Sequence, residues 1–418
     1  MKFLHCADLH IDSPLLGLAD RPGAPAQSLR LATRRALENL VALAIREKVQ
    51  FVVIAGDVFD GDWPDYTTGL FFNARMADLQ AAGIRVYMVS GNHDAASHIT
   101  RHLALPENVV RFSVDRAETY RIDEFEVAIH GQGFKEREVR DNLVPGYPEP
   151  LPGYFNIGVL HTSVDGLGGH ETYAPCRLEE LVQKGYDYWA LGHIHKRQIL
   201  HEHPVVAYAG NLQGRHARET GEKGCLLVSV DGERVAVEFR ALDVLRWYVC
   251  SVDLTGADAI EEVAARVSDQ VGALAERDLA MPLAVRIVLT GRTPLYGSML
   301  ADPEYTRSEV ENAAALCAPG RIWVEQVKVD AVPLSVSAEH PTHHDALAAL
   351  VNTVQELAED EEFLRAFAED AERVLRRLGA YAKREGTLHF QSPDDVRPLL
   401  KDALALVGAL MDQGRVDA

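Results

Sequence analysis

Phe51-Val52-Val53-Ile54-Ala55-Gly56-Asp57-Val58-Phe59-Asp60 sets the pattern on which the rest of the chain is read. Five consecutive apolar residues end on a glycine, and a carboxylate follows at once. The run is a short apolar, β-branched stretch, so it predicts a strand. Gly56 lets the backbone leave the sheet sharply, which puts Asp57 at the strand's end. The same figure recurs along the first half. Lys2-Phe3-Leu4-His5-Cys6 leads to Asp8-Leu9-His10, Arg85 to Ser90 leads to Gly91-Asn92-His93-Asp94, Asn156 to Leu160 leads to His161, and Tyr188 to Leu191 leads to Gly192-His193-Ile194-His195.

Glu126 to His130 and Val205 to Ala209 are further strand candidates, and Leu37, Leu40, Val41 and Ala44 make a helical stripe inside Arg30 to Lys48. The layout is α/β, two stacked sheets flanked by helices. The later strands crowd together and carry turn signals such as Asp231-Gly232, so the second half is expected to add an antiparallel sheet. From Trp247 to Val329 the pattern resets as strand, helix, strand, helix, strand, a small α/β domain of its own. Beyond Pro333 strand signals stop. Leu347, Leu350, Val351, Val354 and Leu357 repeat at helical spacing, as do Leu364, Phe367, Val374, Leu375 and Leu378, and a last helix opens at Ser392-Pro393-Asp394-Asp395. The expected division is a core at 1–240, a cap at 241–335 and an all-helical module at 336–418.

The chain has 418 residues and 47% hydrophobic content, enough for a sizeable core. Its five cysteines are odd in number, widely spaced and form no Cys-x-x-Cys pair, which fits a reducing cytoplasm and argues against structural zinc. No stretch approaches the roughly 20 apolar residues of a membrane helix. With 42 basic and 62 acidic residues the formal charge is −20, which repels a polyanion at long range. Two bound divalent cations would add four positive charges locally, so that objection is weak for a metalloenzyme.

Strand ends are where such a fold gathers its reactive groups. Asp8, His10, Asp57, Asn92, His161, His193 and His195 supply carboxylate, imidazole and amide oxygen, a donor set for manganese, iron or zinc. A bridging carboxylate holds two ions roughly 3.5 to 4 Å apart with a shared hydroxide, the natural nucleophile for in-line attack on phosphorus. Each of these residues alone has an ordinary explanation as a turn, cap or satisfied core residue; their joint occurrence points to a dinuclear centre. The ordered blocks Asp-x-His, Gly-Asp, Gly-Asn-His-Asp, His and Gly-His-x-His resemble the calcineurin-like metallophosphoesterases. Phe3 to His10, Gly56 to Asp60 and Tyr188 to His193 are similar to the SbcD-type DNA repair nucleases. Gly61-Asp62-Trp63, the stretch around His98 to Leu105, and Gly210 to His216 are similar to their bacterial YhaO branch.

That resemblance implies a metallophosphoesterase sandwich in which Asp8, His10 and His195 hold one metal, Asn92, His161 and His193 hold the other, and Asp57 bridges them. It implies that His93 is the acid or transition-state stabiliser at the leaving oxygen, with Asp94 orienting its ring. Asp60 stands where archaeal and eukaryotic relatives usually carry a histidine, so rules drawn from that histidine do not transfer. The expected activity is manganese-dependent DNA cleavage, exonucleolytic and in DNA repair, with the C-terminal helices docking on an SbcC-like coiled-coil ATPase. Hydrolysis of small phosphoesters or nucleotides by the same site is the alternative; a non-catalytic scaffold is a third, disfavoured by the intact ligand set. His5 and His130 read as strand histidines, and His340, His343 and His344 as a helix start. Trp63, Tyr66, Phe71 and Phe72 fit base stacking, core packing or a homodimer surface, and Lys196, Arg197, Arg215 and Arg218 fit a basic track for phosphates or surface ion pairs.

Overall fold

The computed structural model describes residues 1–15, 18, 31–60, 66–96, 103–166, 173–232, 234–278, 281–333, 353–354, 356–378, 390, 392–400 and 403. The chain forms two compact units, Met1–Val249 with Leu279–Arg286, and Cys250–Asp278 with Ile287–Ala418. In the first unit, β1 (Lys2–Cys6), β2 (Phe51–Ala55), β3 (Arg85–Val89) and β4 (Val109–Arg111) pair in parallel. The hairpin of β11 (Gly224–Asp231) and β12 (Arg234–Ala241) extends that sheet on the β1 side, in the order β12-β11-β1-β2-β3-β4. Every residue of β2 is buried, as a strand covered on both faces requires. One face packs under α1 (Ala32–Glu47) and α2 (Thr67–Ala81), where Leu37, Leu40, Ala44, Phe72 and Met76 meet Val52 and Ile54.

The other face packs on the second sheet. β5 (Glu118–Ile122), β6 (Val127–Gly131), β7 (Phe155–His161), β8 (Tyr188–Gly192), β9 (Gln198–Glu202) and β10 (Val205–Tyr208) lie in the order β5-β6-β7-β8-β10-β9. Phe3, Phe51, Val53 and Tyr87 from one sheet and Ile129, Ile157 and Tyr188 from the other fill the layer between them. Two stacked six-stranded sheets flanked by helices are the architecture expected from the sequence. The second sheet corrects one detail, because β6, β7, β8 and β10 pair in parallel and only the edges, β5 and β9, are antiparallel. The crowded strands signalled by Asp231-Gly232 form the β11–β12 hairpin, which joins the first sheet instead. The chain between β7 and β8 returns through α4 (Leu178–Gln183), so these neighbours run in the same direction.

His5 and His130 are structural. His5, on β1, bonds through Nδ1 to the Tyr188 hydroxyl (2.9 Å) and through Nε2 to the Leu191 carbonyl (3.1 Å), joining the two sheets. His130 sits between the Thr119 hydroxyl and the Asn156 amide oxygen and stacks on Tyr186.

In the second stretch, β13 (Arg246–Asp253), β14 (Leu283–Thr290) and β16 (Ile322–Val329) form a three-stranded sheet in the order β13-β14-β16, and β15 (Arg292–Thr293) pairs with β17 (Val332–Pro333). Val263, Val267, Val271 and Ala275 repeat every four residues on the buried face of α5 (Ile260–Arg277). After α6 (Tyr296–Ala301), α7 (Pro303–Cys317) starts at Asp302, whose carboxylate accepts the Tyr305 N–H, with proline at the first helical position. The C-terminal part is helical where described. α8 (Glu361–Leu378) buries Leu364 and Ala368 with Val396 and leaves Phe367 and Val374 exposed. Ser392 donates twice to Asp395 at the start of the helical residues 393–400. Trp63, most of the stretch from His98 to Leu105, and the expected helix with His340, His343 and His344 lie outside the described residues.

Candidate metal centre

The strand ends converge at one edge of the two sheets. Asp8 and His10 follow β1, Asp57 follows β2, Asn92 opens the single-turn α3 (Asn92–Ala96) after β3, His161 closes β7, and His193 follows β8. The ladder between β1 and β2 continues past both strands, with Asp8 N–H on the Gly56 carbonyl (3.0 Å) and His10 N–H on the Asp57 carbonyl (3.1 Å). That pairing turns the two loops in register. Asp8, His10, Asp57 and His193 all have positive φ, at 51°, 42°, 51° and 97°. Such backbone in non-glycine residues costs on the order of 1–3 kcal/mol each and persists only where the surroundings over-determine it. Two glycines show how closely the loops approach: a Cβ on Gly91 would collide with Asp57 Oδ1, and one on Gly192 with the Ala55 carbonyl oxygen.

Six of the seven side chains are buried, and His195 is partly so. Ligand atoms of Asp8, His10 and His195 lie within 4.8 Å of one another, as do those of Asp8, Asp57 and His161. Asp57 Oδ2 stands 3.4 Å from His161 Nε2 and 3.9 Å from His10 Nε2, the position a bridging carboxylate needs. Asn92 Oδ1 is 3.0 Å from His161 Nε2. The His193 ring packs against those of His161 and Tyr173, and its backbone N–H donates to both Asp8 oxygens (3.1 Å each).

The hydrogen bonds also define where the Nδ1 atoms of two of these rings are engaged. His161 Nδ1 is 2.9 Å from the Ala55 carbonyl and His195 Nδ1 is 2.6 Å from Glu219 Oε1; both oxygens only accept, so each Nδ1 carries the proton. Nε2 of His161 then faces the oxygens of Asn92 and Asp57, a position that calls for positive charge, either a proton or a bound cation. Nε2 of His195 likewise faces Nε2 of His10 at 3.2 Å. Buried oxygens and ring nitrogens gathered at these distances can hold a cation among them, and this donor set fits borderline divalent ions. The charge balance agrees. Burial opposes charge on His161, yet Asp57 pulls its pKa up to about 9, while burial drives His10 down to about 3 and pushes the Asp8 carboxyl up.

His93 is half-buried at the lip. Its Nδ1 lies 3.2 Å from Asp60 Oδ1, and its backbone N–H donates to Asp57 Oδ1 (2.9 Å). Burial lowers its proton affinity, but Asp60 and Asp57 more than restore it, so the net shift is upward. The family resemblance implies that Asp94 orients the His93 ring; the structure places the Asp94 carboxylate on backbone donors instead. Asp94 accepts the backbone N–H groups of Val58 (3.2 Å), Phe59 (3.0 Å) and Gly91 (3.1 Å), pinning the loops after β2 and β3 together. A short carboxylate at the third position of α3 reaches backbone donors beneath it more readily than the ring of its neighbour.

Glu219 carries no signal in the sequence, because its partner His195 is 24 positions away and nothing local marks it. Among the expected basic residues, Arg215 turns inward between Glu219 and Asp60, and Arg197 lies over the Phe239 ring, 3.8 Å from its centroid. Lys196 and Arg218 are exposed. Phe72 packs in the core, Phe71 is covered by Arg34 and Arg75, and Tyr66 is exposed.

The calcineurin-like phosphoesterase profile matches residues 1–197, and that of the metallophosphoesterase YhaO middle domain matches 247–332. The uncharacterized metallophosphoesterase YhaO of Bacillus subtilis is 37% identical over 314 residues, 74% of this chain and 76% of the relative. The chain belongs to the calcineurin-like metallophosphoesterases. Members of this family use a dinuclear divalent metal site, and the converging carboxylates and imidazoles of this metallophosphoesterase suit one. More distant relatives include the DNA double-strand break repair protein Mre11 of Methanocaldococcus jannaschii, 25% identical over 56% of this chain and 63% of the relative. A component of the SbcCD nuclease of Rhodobacter capsulatus is 36% identical over 27% of this chain and 25% of the relative. Among the described residues no helix is long and apolar enough to cross a membrane.

Proposed function

We propose that this metallophosphoesterase is a manganese-dependent DNA nuclease that hydrolyses phosphodiester bonds exonucleolytically in DNA repair. The observation that carries the hydrolytic part is the pair of ligand triads that share Asp8, one with His10 and His195 and one with Asp57 and His161, with His93 beside them at the lip. Asp8, His10 and His195 would hold one ion, Asn92, His161 and His193 the other, and Asp57 would join them. Bound ions supply Lewis acidity for the phosphate and lower the pKa of a water. The chain's own groups do the rest. With Nδ1 engaged by Asp60, His93 would present Nε2 to the leaving oxygen as proton donor. The buried ligand side chains exclude bulk water behind the substrate.

The choice of DNA rests on the Mre11 and SbcCD relatives and on the middle domain, which a small-substrate phosphatase does not need. The formal charge of −20 favours the alternative, hydrolysis of small phosphoesters or nucleotides. End-labelled DNA incubated with the protein and manganese should shorten from its ends. Cleavage of a small chromogenic phosphodiester with single- and double-stranded DNA left intact across salt concentrations would establish the alternative.

For the C-terminal helices we propose docking on an SbcC-like coiled-coil ATPase. Phe367 and Val374 lie seven residues apart on α8 and stay exposed, as an apolar stripe awaiting a partner helix would. Deleting residues 340–418 should abolish co-purification with a coexpressed ATPase of that type; unchanged co-purification would refute the docking.

A further inference from the structure

We propose that Glu219, Arg215 and Asp60 act together as positioning residues, holding His195, His10 and His93 by their Nδ1 sides and so setting the affinity of the metal position formed by Asp8, His10 and His195. The proposal rests on the dinuclear reading of the site.

Glu219 is buried, and both of its oxygens are engaged. Oε1 accepts a hydrogen bond from His195 Nδ1–H at 2.6 Å, while Oε2 accepts from the Asn211 side chain (2.8 Å) and the Arg215 backbone N–H (2.7 Å). On the far side of the site, Asp60 Oδ1 stands 3.2 Å from His93 Nδ1 and 3.3 Å from His10 Nδ1. The alignment at His10 is poor for a hydrogen bond, so the hold there is electrostatic. Arg215 ties the two carboxylates together, with Nη2 3.3 Å from Glu219 Oε1 and Nη1 3.5 Å from Asp60 Oδ1. Anion, cation and anion thus alternate around three imidazoles. A guanidinium fork spans such a pair where an ammonium contacts only one side.

The segment carrying these groups is itself anchored. Gln213 donates to the Leu245 carbonyl (2.7 Å) and accepts the Val244 N–H (2.9 Å), and the Trp247 indole donates to the Gly214 carbonyl (2.8 Å). His10, Asp60 and His93 by themselves have the spacing of a further cation site. Arg215 beside Asp60 already supplies the positive charge there, which makes positioning the better account of the cluster. Carboxylates that orient imidazole ligands typically change metal affinity by about 10- to 100-fold when removed.

The test is a titration of the full-length chain with manganese, reading stoichiometry and the two stepwise affinities by calorimetry, with bound metal counted after gel filtration. Wild type should take two ions. Glu219→Gln should weaken one of them by about 10- to 100-fold and leave the other within about twofold. Arg215→Lys, which keeps the charge and so guards against misfolding of the first variant, should produce a smaller loss at the same ion. Unchanged affinities for both ions in Glu219→Gln, or equal weakening of both in the two variants, would overturn the proposal, the second because a general loosening of the fold acts on both positions. Failure of the wild type to bind two ions would instead refute the dinuclear reading.

Discussion

His93 lies half-buried beside six buried candidate ligands, and it contacts the centre through its backbone as well as its ring. Its N–H on Asp57 Oδ1 fixes the carboxylate proposed to bridge the ions, while Asp60 fixes the ring. Replacing the ring alone should therefore separate proton transfer from metal binding. His93→Gln is expected to retain two ions and lose about 10²- to 10⁴-fold in kcat, measured as turnover of a phosphodiester beside metal content. Asp94 makes the opposite prediction. Its carboxylate is buried, receives three backbone N–H groups and touches no reacting atom, so Asp94→Asn places an amide donor against N–H donors. The variant should lose about 1–3 kcal/mol of stability in a denaturant titration. The two neighbours are indistinguishable as letters beside Asn92; only the direction of their side chains separates the proposed proton donor from the structural pin.

At the scale of elements, the site exists because five strands of two sheets end along one edge, and the sheets must be held in register for that edge to form. His5 is one of the ties, linking β1 to β8. Burial lowers its pKa from 6.5 to about 3, against the opposing bond from the Leu191 carbonyl. The unfolded chain takes up this proton near pH 6.5 and the folded chain only near pH 3. Between those values the unfolded state binds more protons, so the stability contributed is complete above pH 6.5 and falls as the pH drops, by at most about 1.4 kcal/mol per pH unit for one such group. In chelator, which removes any contribution from metal release, the melting temperature of His5→Gln should fall less steeply from pH 6.5 toward pH 3 than that of wild type. The slope that remains includes His130, also lowered by burial.

For the whole molecule, stability and metal binding are one equilibrium. The folded chain gathers Asp8, Asp57, His161 and the other ligands from positions up to 187 residues apart, whereas the unfolded chain cannot. Metal at 100 times its dissociation constant then adds about 2.7 kcal/mol per site. Manganese should raise the melting temperature and a chelator lower it, and Asp57→Ala should lose most of that response in a thermal scan. Four ligand positions with left-handed backbone point the same way, since strain in the loops is offset when the carboxylates gain a counter-charge.

By itself the sequence determined β1, β2, β3, β6, β7, β8 and β10 and the stacked-sheet architecture, and it marked seven candidate ligands, because each of these residues sits within a few positions of an apolar run whose length and composition are local properties. Beyond them, β13, α5, β14, α7 and β16 were legible for the same reason. Only the tertiary structure decided which carboxylate holds which imidazole. Asp60 rather than Asp94 meets His93, Glu219 meets His195, and Arg215 turns inward between them instead of lining a basic track. It also decided that the second sheet is parallel through its centre. These outcomes depend on the direction in which a loop carries a side chain and on contacts between segments distant in the chain, and neither is encoded in the spacing of neighbouring residues.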